Sequence, residues 1–137
     1  MKLNLSLFFT IGAISFTSLL AQTTHDIDVT VEGLGADSVY LANYYGSRLY
    51  YSDTTVADIN GHFVFKGKPF DECGKYAVVL PGPVFFEIML VSETMEFRTT
   101  MKNPQGDMQV IHSEENKVFY DYLNFLNSKR EERIPHD

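Results

Sequence analysis

From Asp26 the chain alternates. Ile27, Val29 and Val31 are apolar, while Asp28, Thr30 and Glu32 between them are polar. This period of two predicts a half-buried strand. Gly33-Leu34-Gly35-Ala36-Asp37 then predicts a turn, Ser38–Tyr44 a second strand, and Leu49–Val56 a third. Asp58-Ile59-Asn60-Gly61 precedes His62–Lys66. Asn and Gly tolerate positive φ, so this run predicts a tight hairpin with Phe63 and Phe65 on its inner face. Gly67-Lys68-Pro69 ends that strand. Tyr76–Leu80 and Val84–Val91 follow as strands, separated by Pro81-Gly82-Pro83. In the latter, Phe86, Ile88 and Leu90 share one face and Glu87 takes the other. Met95–Met101 alternates again, and Met108–His112 is the last strand, after the loop Asn103–Asp107. Eight short strands joined by turns predict a mainly β domain, an antiparallel sandwich or barrel.

The period changes at Ser113, which suits a helix cap, with Glu114 and Glu115 at the positive end. Val118, Phe119, Tyr122, Leu123, Phe125 and Leu126 recur at three- and four-residue spacing. They predict an amphipathic C-terminal helix over 113–134 with a broad apolar face. Lys129, Arg130 and Arg133 suit its negative end, and Pro135 limits it. Leaving such a face in water forgoes roughly 1.5–3 kcal/mol for each Leu or Phe. It is expected to dock on its own sheet, on a protein partner, or on a downstream domain to which the helix leads.

The N-terminus has a different character. Met1-Lys2 is positive, Leu3–Leu20 carries no charge, and Ala21 precedes the polar Gln22-Thr23-Thr24. This order predicts a signal peptide over residues 1–21, cleaved to leave a β domain over 22–112 and the helix. Asn4, Ser6, Thr10, Ser15, Thr17 and Ser18 dilute the run relative to a membrane anchor. No Cys follows it, so no lipoprotein cysteine is expected. The expected location is the periplasm or outside the cell, with no transmembrane anchor after cleavage.

Charge and composition narrow the function. With 11 Lys plus Arg against 18 Asp plus Glu, the chain is acidic, which disfavours nucleic acid as a partner. The single cysteine, Cys73, cannot form an internal disulfide, so folding has to rest on packing. Cys73 is expected as a partly buried small hydrophobe, because Asp71 and Glu72 disfavour a thiolate. His25, His62, His112 and His136 lack metal-ligand spacing. Asp58-x-Asn60-Gly61 would place Val56 and Gly67 at the ends of a calcium loop, where neither offers a side-chain oxygen. Ser47 has no nearby base, and Gly33-x-Gly35 lacks the rest of a dinucleotide fingerprint. No catalytic, cofactor or metal residue is assigned. Tyr44-Tyr45 and Tyr50-Tyr51 flank a short loop and are candidates for an aromatic platform for sugar or peptide. Adjacent strand residues face opposite ways, so each pair is expected to split between core and surface.

Three segments, Val29-Thr30-Val31-Glu32-Gly33-Leu34, Asp58–Gly67 and Ser113–Tyr122, together carry a resemblance. They are similar to the N-terminal β domain of unknown function that precedes thioredoxin-like domains in bacterial periplasmic thiol–disulfide oxidoreductases. That family's activity resides in the downstream domain and its Cys-x-x-Cys pair. The resemblance therefore implies an accessory half, encoded alone or left by truncation, with no catalytic residue to carry over. The expectation is a non-catalytic exported interaction module. The alternatives are a ligand- or carbohydrate-binding sandwich using the tyrosines, or a thiol-dependent redox protein using Cys73.

Overall fold

The computed structural model describes residues 26–67, 72–82, 84–91 and 93–134. The expected signal peptide, Lys68-Pro69, Pro83 and Pro135 lie outside the described residues, as do His25 and His136. Eight strands appear in the expected order: β1 (Asp26–Glu32), β2 (Ser38–Tyr45), β3 (Arg48–Val56), β4 (His62–Lys66), β5 (Gly74–Leu80), β6 (Val84–Leu90), β7 (Met95–Thr100) and β8 (Gln109–His112). One helix, α1 (Glu114–Arg133), follows. The strands form two four-stranded sheets rather than a closed barrel. The first runs β4-β1-β7-β8 and the second β3-β2-β5-β6.

The inner faces of both sheets supply one core. Ile27, Val29, Val31, Phe63, Phe65, Met95 and Phe97 come from the first, and Val39, Leu41, Tyr76, Val78, Leu80, Phe86, Ile88 and Leu90 from the second. These are the positions that strand alternation assigns to one face. At roughly 1.5–3 kcal/mol per fully buried large side chain, the cluster is the main favourable contribution to the fold.

Two details depart from the expected hairpin-built, antiparallel arrangement. The β1–β7 ladder is parallel, running from Ile27↔Met95 to Glu32↔Thr100. Period two records which face a residue takes and is silent on the direction of the neighbouring strand. The run 58–61 is a turn, but β3 and β4 belong to different sheets, so it is a corner between sheets and no hairpin. Asp58 Oδ1 accepts from the amides of Asn60 (2.9 Å) and His62 (3.0 Å), and Gly61 N donates to Asp58 O (2.9 Å). The Gly61 carbonyl in turn accepts from Val31 N at 2.9 Å, tying the corner to the end of β1. Gly61 has φ +75°, and a Cβ there would strike the Val31 carbonyl oxygen. Local turn chemistry shapes the reversal, while the packing of the two sheets decides where the next strand goes.

The helix begins as expected. Ser113 Oγ accepts from Asn116 N at 3.3 Å, with Glu114 and Glu115 in the first turn and Arg130 and Arg133 in the last. It packs on β6 and β8, each the last strand of its sheet, and so closes the open side between them.

Gly61→Ala is predicted to destabilise the domain by about 1–3 kcal/mol, because it combines left-handed backbone with a backbone clash. Urea unfolding checks this. Gly35→Ala, at φ +68° but in open space, should cost less.

Candidate interaction surface

The outer faces of the two sheets differ in kind. On the first sheet, Asp28, Thr30 and Glu32 stand beside Glu96, Arg98 and Thr100, with His62 and Lys66 on the flanking strand. Val64 is the one apolar residue among them. This is the ordinary water-facing side of a sandwich sheet covered on one face only. A shallow polar depression of about 240 Å³ lies here, lined by Thr30, Glu32, Arg98, Asp107 and their neighbours. Part of its polarity is satisfied internally, since Thr100 Oγ1 donates to Asp107 Oδ2 at 2.6 Å.

The second sheet turns an apolar and aromatic face outward. Alternation puts Tyr40, Ala42 and Tyr44 of β2 there, with Ala77 and Val79 of β5 and Phe85 and Met89 of β6. A register shift between Leu41 and Ala42 sets Tyr51 of β3 opposite Ala42 and so onto the same face. Tyr40 and Tyr51 stack with centroids 4.8 Å apart. Ala42 and Ala77 are fully buried although they face away from the core, and Val79 and Tyr44 join them in a second small apolar cluster. Tyr40, Leu49, Tyr51 and Phe85 remain exposed around it.

One ion pair sits in this face. Lys75 Nζ lies 2.8 Å from Glu87 Oε2 and 4.8 Å from the centre of the Tyr44 ring. Burial, then the charge of Glu87, raises the Tyr44 hydroxyl above its ordinary range. The contact with Glu87 likewise holds Lys75 in its charged form. A charge pair among aromatic rings gives the face a polar point of orientation.

The proposed tyrosine platform is divided. Tyr44 and Tyr51 lie on the outer face, whereas Tyr45 and Tyr50 take the opposite direction and meet edge to face at 6.2 Å. Neither pair places a member in the core, contrary to the expected split: Tyr44 is half-buried on the outer face, and Tyr45, Tyr50 and Tyr51 are exposed. The inward-directed positions Asn43, Tyr45 and Tyr50 run past Leu41, the last core residue of β2. Tyr40, Val79 and Phe85 were not singled out from the sequence. The signal for them was the unbroken apolar run Tyr76–Leu80, which marks a strand covered on both faces.

The helix also differs from expectation. Its buried residues are Asn116 and Tyr120, not the apolar set. Phe119 and Leu123 are half-buried, while Val118 (68%), Tyr122 (57%), Phe125 (56%) and Leu126 (40%) are exposed. At about 100° per residue, Val118, Tyr122 and Phe125 lie roughly 140–180° round the helix from the docked side. The contact is polar because it is made to the backbone of β6. Asn116 Oδ1 accepts from Met89 N (2.8 Å) and its Nδ2 donates to Met89 O (2.9 Å). Tyr120 donates its hydroxyl to Glu87 O at 2.6 Å. Beyond Leu123 every described helix residue is exposed, so the second half projects from the sandwich.

Cys73 is exposed ahead of β5, not partly buried as expected, because it precedes Gly74 and stands outside the alternating run. Among the described residues, no three metal-ligating side chains come together. No helix there is long and apolar enough to cross a membrane.

The chain belongs to the family described as Domain of unknown function (DUF4369), whose model matches residues 25–119. The match takes in all eight strands and the opening of α1 with Asn116, and ends just before Tyr120. No curated protein matches the chain.

Burial of Tyr120, then the charge of Glu87, pushes its hydroxyl well above the ordinary value of 10.0. The unfolded chain therefore ionises first, and this contribution to stability is complete below about pH 10 and lost as pH rises through it. The denaturation midpoint is predicted to fall above about pH 10, and Tyr120→Phe should flatten part of that fall. The same change should cost about 1 kcal/mol at neutral pH through the lost hydrogen bond.

Proposed function

We propose that this domain is an exported, non-catalytic interaction module that docks on a protein partner through the outer face of the β3-β2-β5-β6 sheet. Following the resemblance read from the sequence, the partner is a thioredoxin-like domain, either in the same polypeptide or in a separate one, in the periplasm or outside the cell. The observation that carries this reading is the asymmetry between the two sheets. One outward face is charged and hydroxylated; the other holds buried Ala42 and Ala77 packed with Val79 and Tyr44, with Tyr40, Tyr51 and Phe85 exposed on the same face. Contiguous apolar surface of this kind is typical of binding sites, and tyrosine is enriched among residues that dominate binding energy. The helix, with Val118, Tyr122 and Phe125 turned away from the docked side and Leu126 exposed beside them, supports the same reading by offering a second apolar stripe. The division of the tyrosines between two faces favours a protein partner over a single sugar-stacking platform.

A photocrosslinking residue in place of Tyr51 is predicted to capture a purified thioredoxin-like domain, while the same residue in place of Arg98 is not. Tyr51→Asp with Phe85→Asp, both at exposed positions, should weaken that binding at least about tenfold. Equal capture from both faces would overturn the assignment. So would insulin reduction by the purified domain that is abolished by Cys73→Ala.

A further inference from the structure

Each sheet edge offers unpaired backbone groups to another chain, and each needs a defence. Three of the four edges are defended by their own sequence. Edge strand β3 is bulged opposite Leu41 and Ala42 and carries Arg48 and Asp53. Strand β4 is only five residues long and ends at Lys66. Strand β8 has four residues. Strand β6 has none of these devices: its seven residues, Val84–Leu90, include one charge, Glu87, which Lys75 neutralises. An apolar strand of that length with an open edge is a template for pairing.

We propose that Asn116 and Tyr120 form a strand-mimicking clasp that keeps the β6 edge closed against β6 of a second copy of the chain. The geometry is that of a missing ninth strand. The Asn116 amide makes with Met89 the two bonds, one accepted and one donated, that a facing residue of an antiparallel strand would make. Tyr120 then meets Glu87, two residues along the same edge. Four helix residues rise about 6 Å, close to the roughly 6.7 Å two-residue repeat of a strand, so positions i and i+4 fall on successive outward groups. Ser113 sets the start of the clasp, donating to Glu93 Oε1 at 2.7 Å while accepting from Asn116. The second copy is the natural occupant because an edge that pairs with itself is self-complementary about a twofold axis.

Opening the clasp should therefore convert the protein to an edge-paired dimer. In Asn116→Ala with Tyr120→Ala, diluted until it is monomeric, exchange of the Met89 amide is expected to rise at least about tenfold, with the Val29 and Phe97 amides unchanged. Light scattering is expected to report a concentration-dependent dimer that reverts to monomer when Met89→Pro is added. That proline removes the outward N–H and leaves the β5 ladder intact. A double variant that stays monomeric at every concentration overturns the proposal, as does a dilute monomer whose Met89 amide stays protected, or a dimer that survives Met89→Pro. Should the double variant fail to fold, Asn116→Ala alone is read in the same way, and an unchanged Met89 amide overturns it.

Discussion

Everything in this domain hangs on closing one apolar interior between two sheets without a covalent staple. The core residues arrive chiefly from six of the eight strands, β1, β2, β4, β5, β6 and β7, at every second position, and the chain crosses between the sheets at β1–β2, β3–β4, β4–β5 and β6–β7. A one-residue slip in any strand would send its core set to the outside. The corner at Gly61 and the polar seam along β6 make sense in this light, because each fixes where a strand ends or an edge stops. Specific backbone bonds supply the registration that disulfides provide in many small domains.

That interior leaves three surfaces with different character. The outer face of the first sheet is polar and resembles ordinary protein surface. The outer face of the second is built like half an interface, with small buried residues floored between β2 and β5 and rings standing round them. The helix has one side spent on the β6 backbone and the other open. The polar clasp leaves the apolar helix residues unspent, which is why four of the six residues that pattern would assign to self-docking stay in water. In this account, stability and recognition draw on separate sets of side chains.

The strand sequence was legible because period two is a direct record of the core: Ile27, Val29, Val31, Phe86, Ile88, Leu90, Met95 and Phe97 all take the side that alternation assigns. The helix start was legible because Ser113 has a specific chemical task. Strand direction was not, since β1 looks the same whether its neighbour β7 runs with it or against it. The role of Asn116 was hidden for a related reason. A lone Asn in the first turn of a helix reads as polar surface until an edge strand is placed within reach of its amide. The apolar outer face was partly legible: Tyr44 and Tyr51 stood out as tyrosines, but Ala77 and Val79 were read only as part of the strand Tyr76–Leu80, with no face assigned to them.

The most direct test of the account is hydroxyl-radical footprinting of the domain, alone and with a thioredoxin-like domain. The account expects Tyr40, Tyr51 and Phe85 to lose reactivity in the complex while His62 and Met101 keep theirs. Protection confined to the β1-β4-β7 face, or no protection at any of these residues, would contradict it.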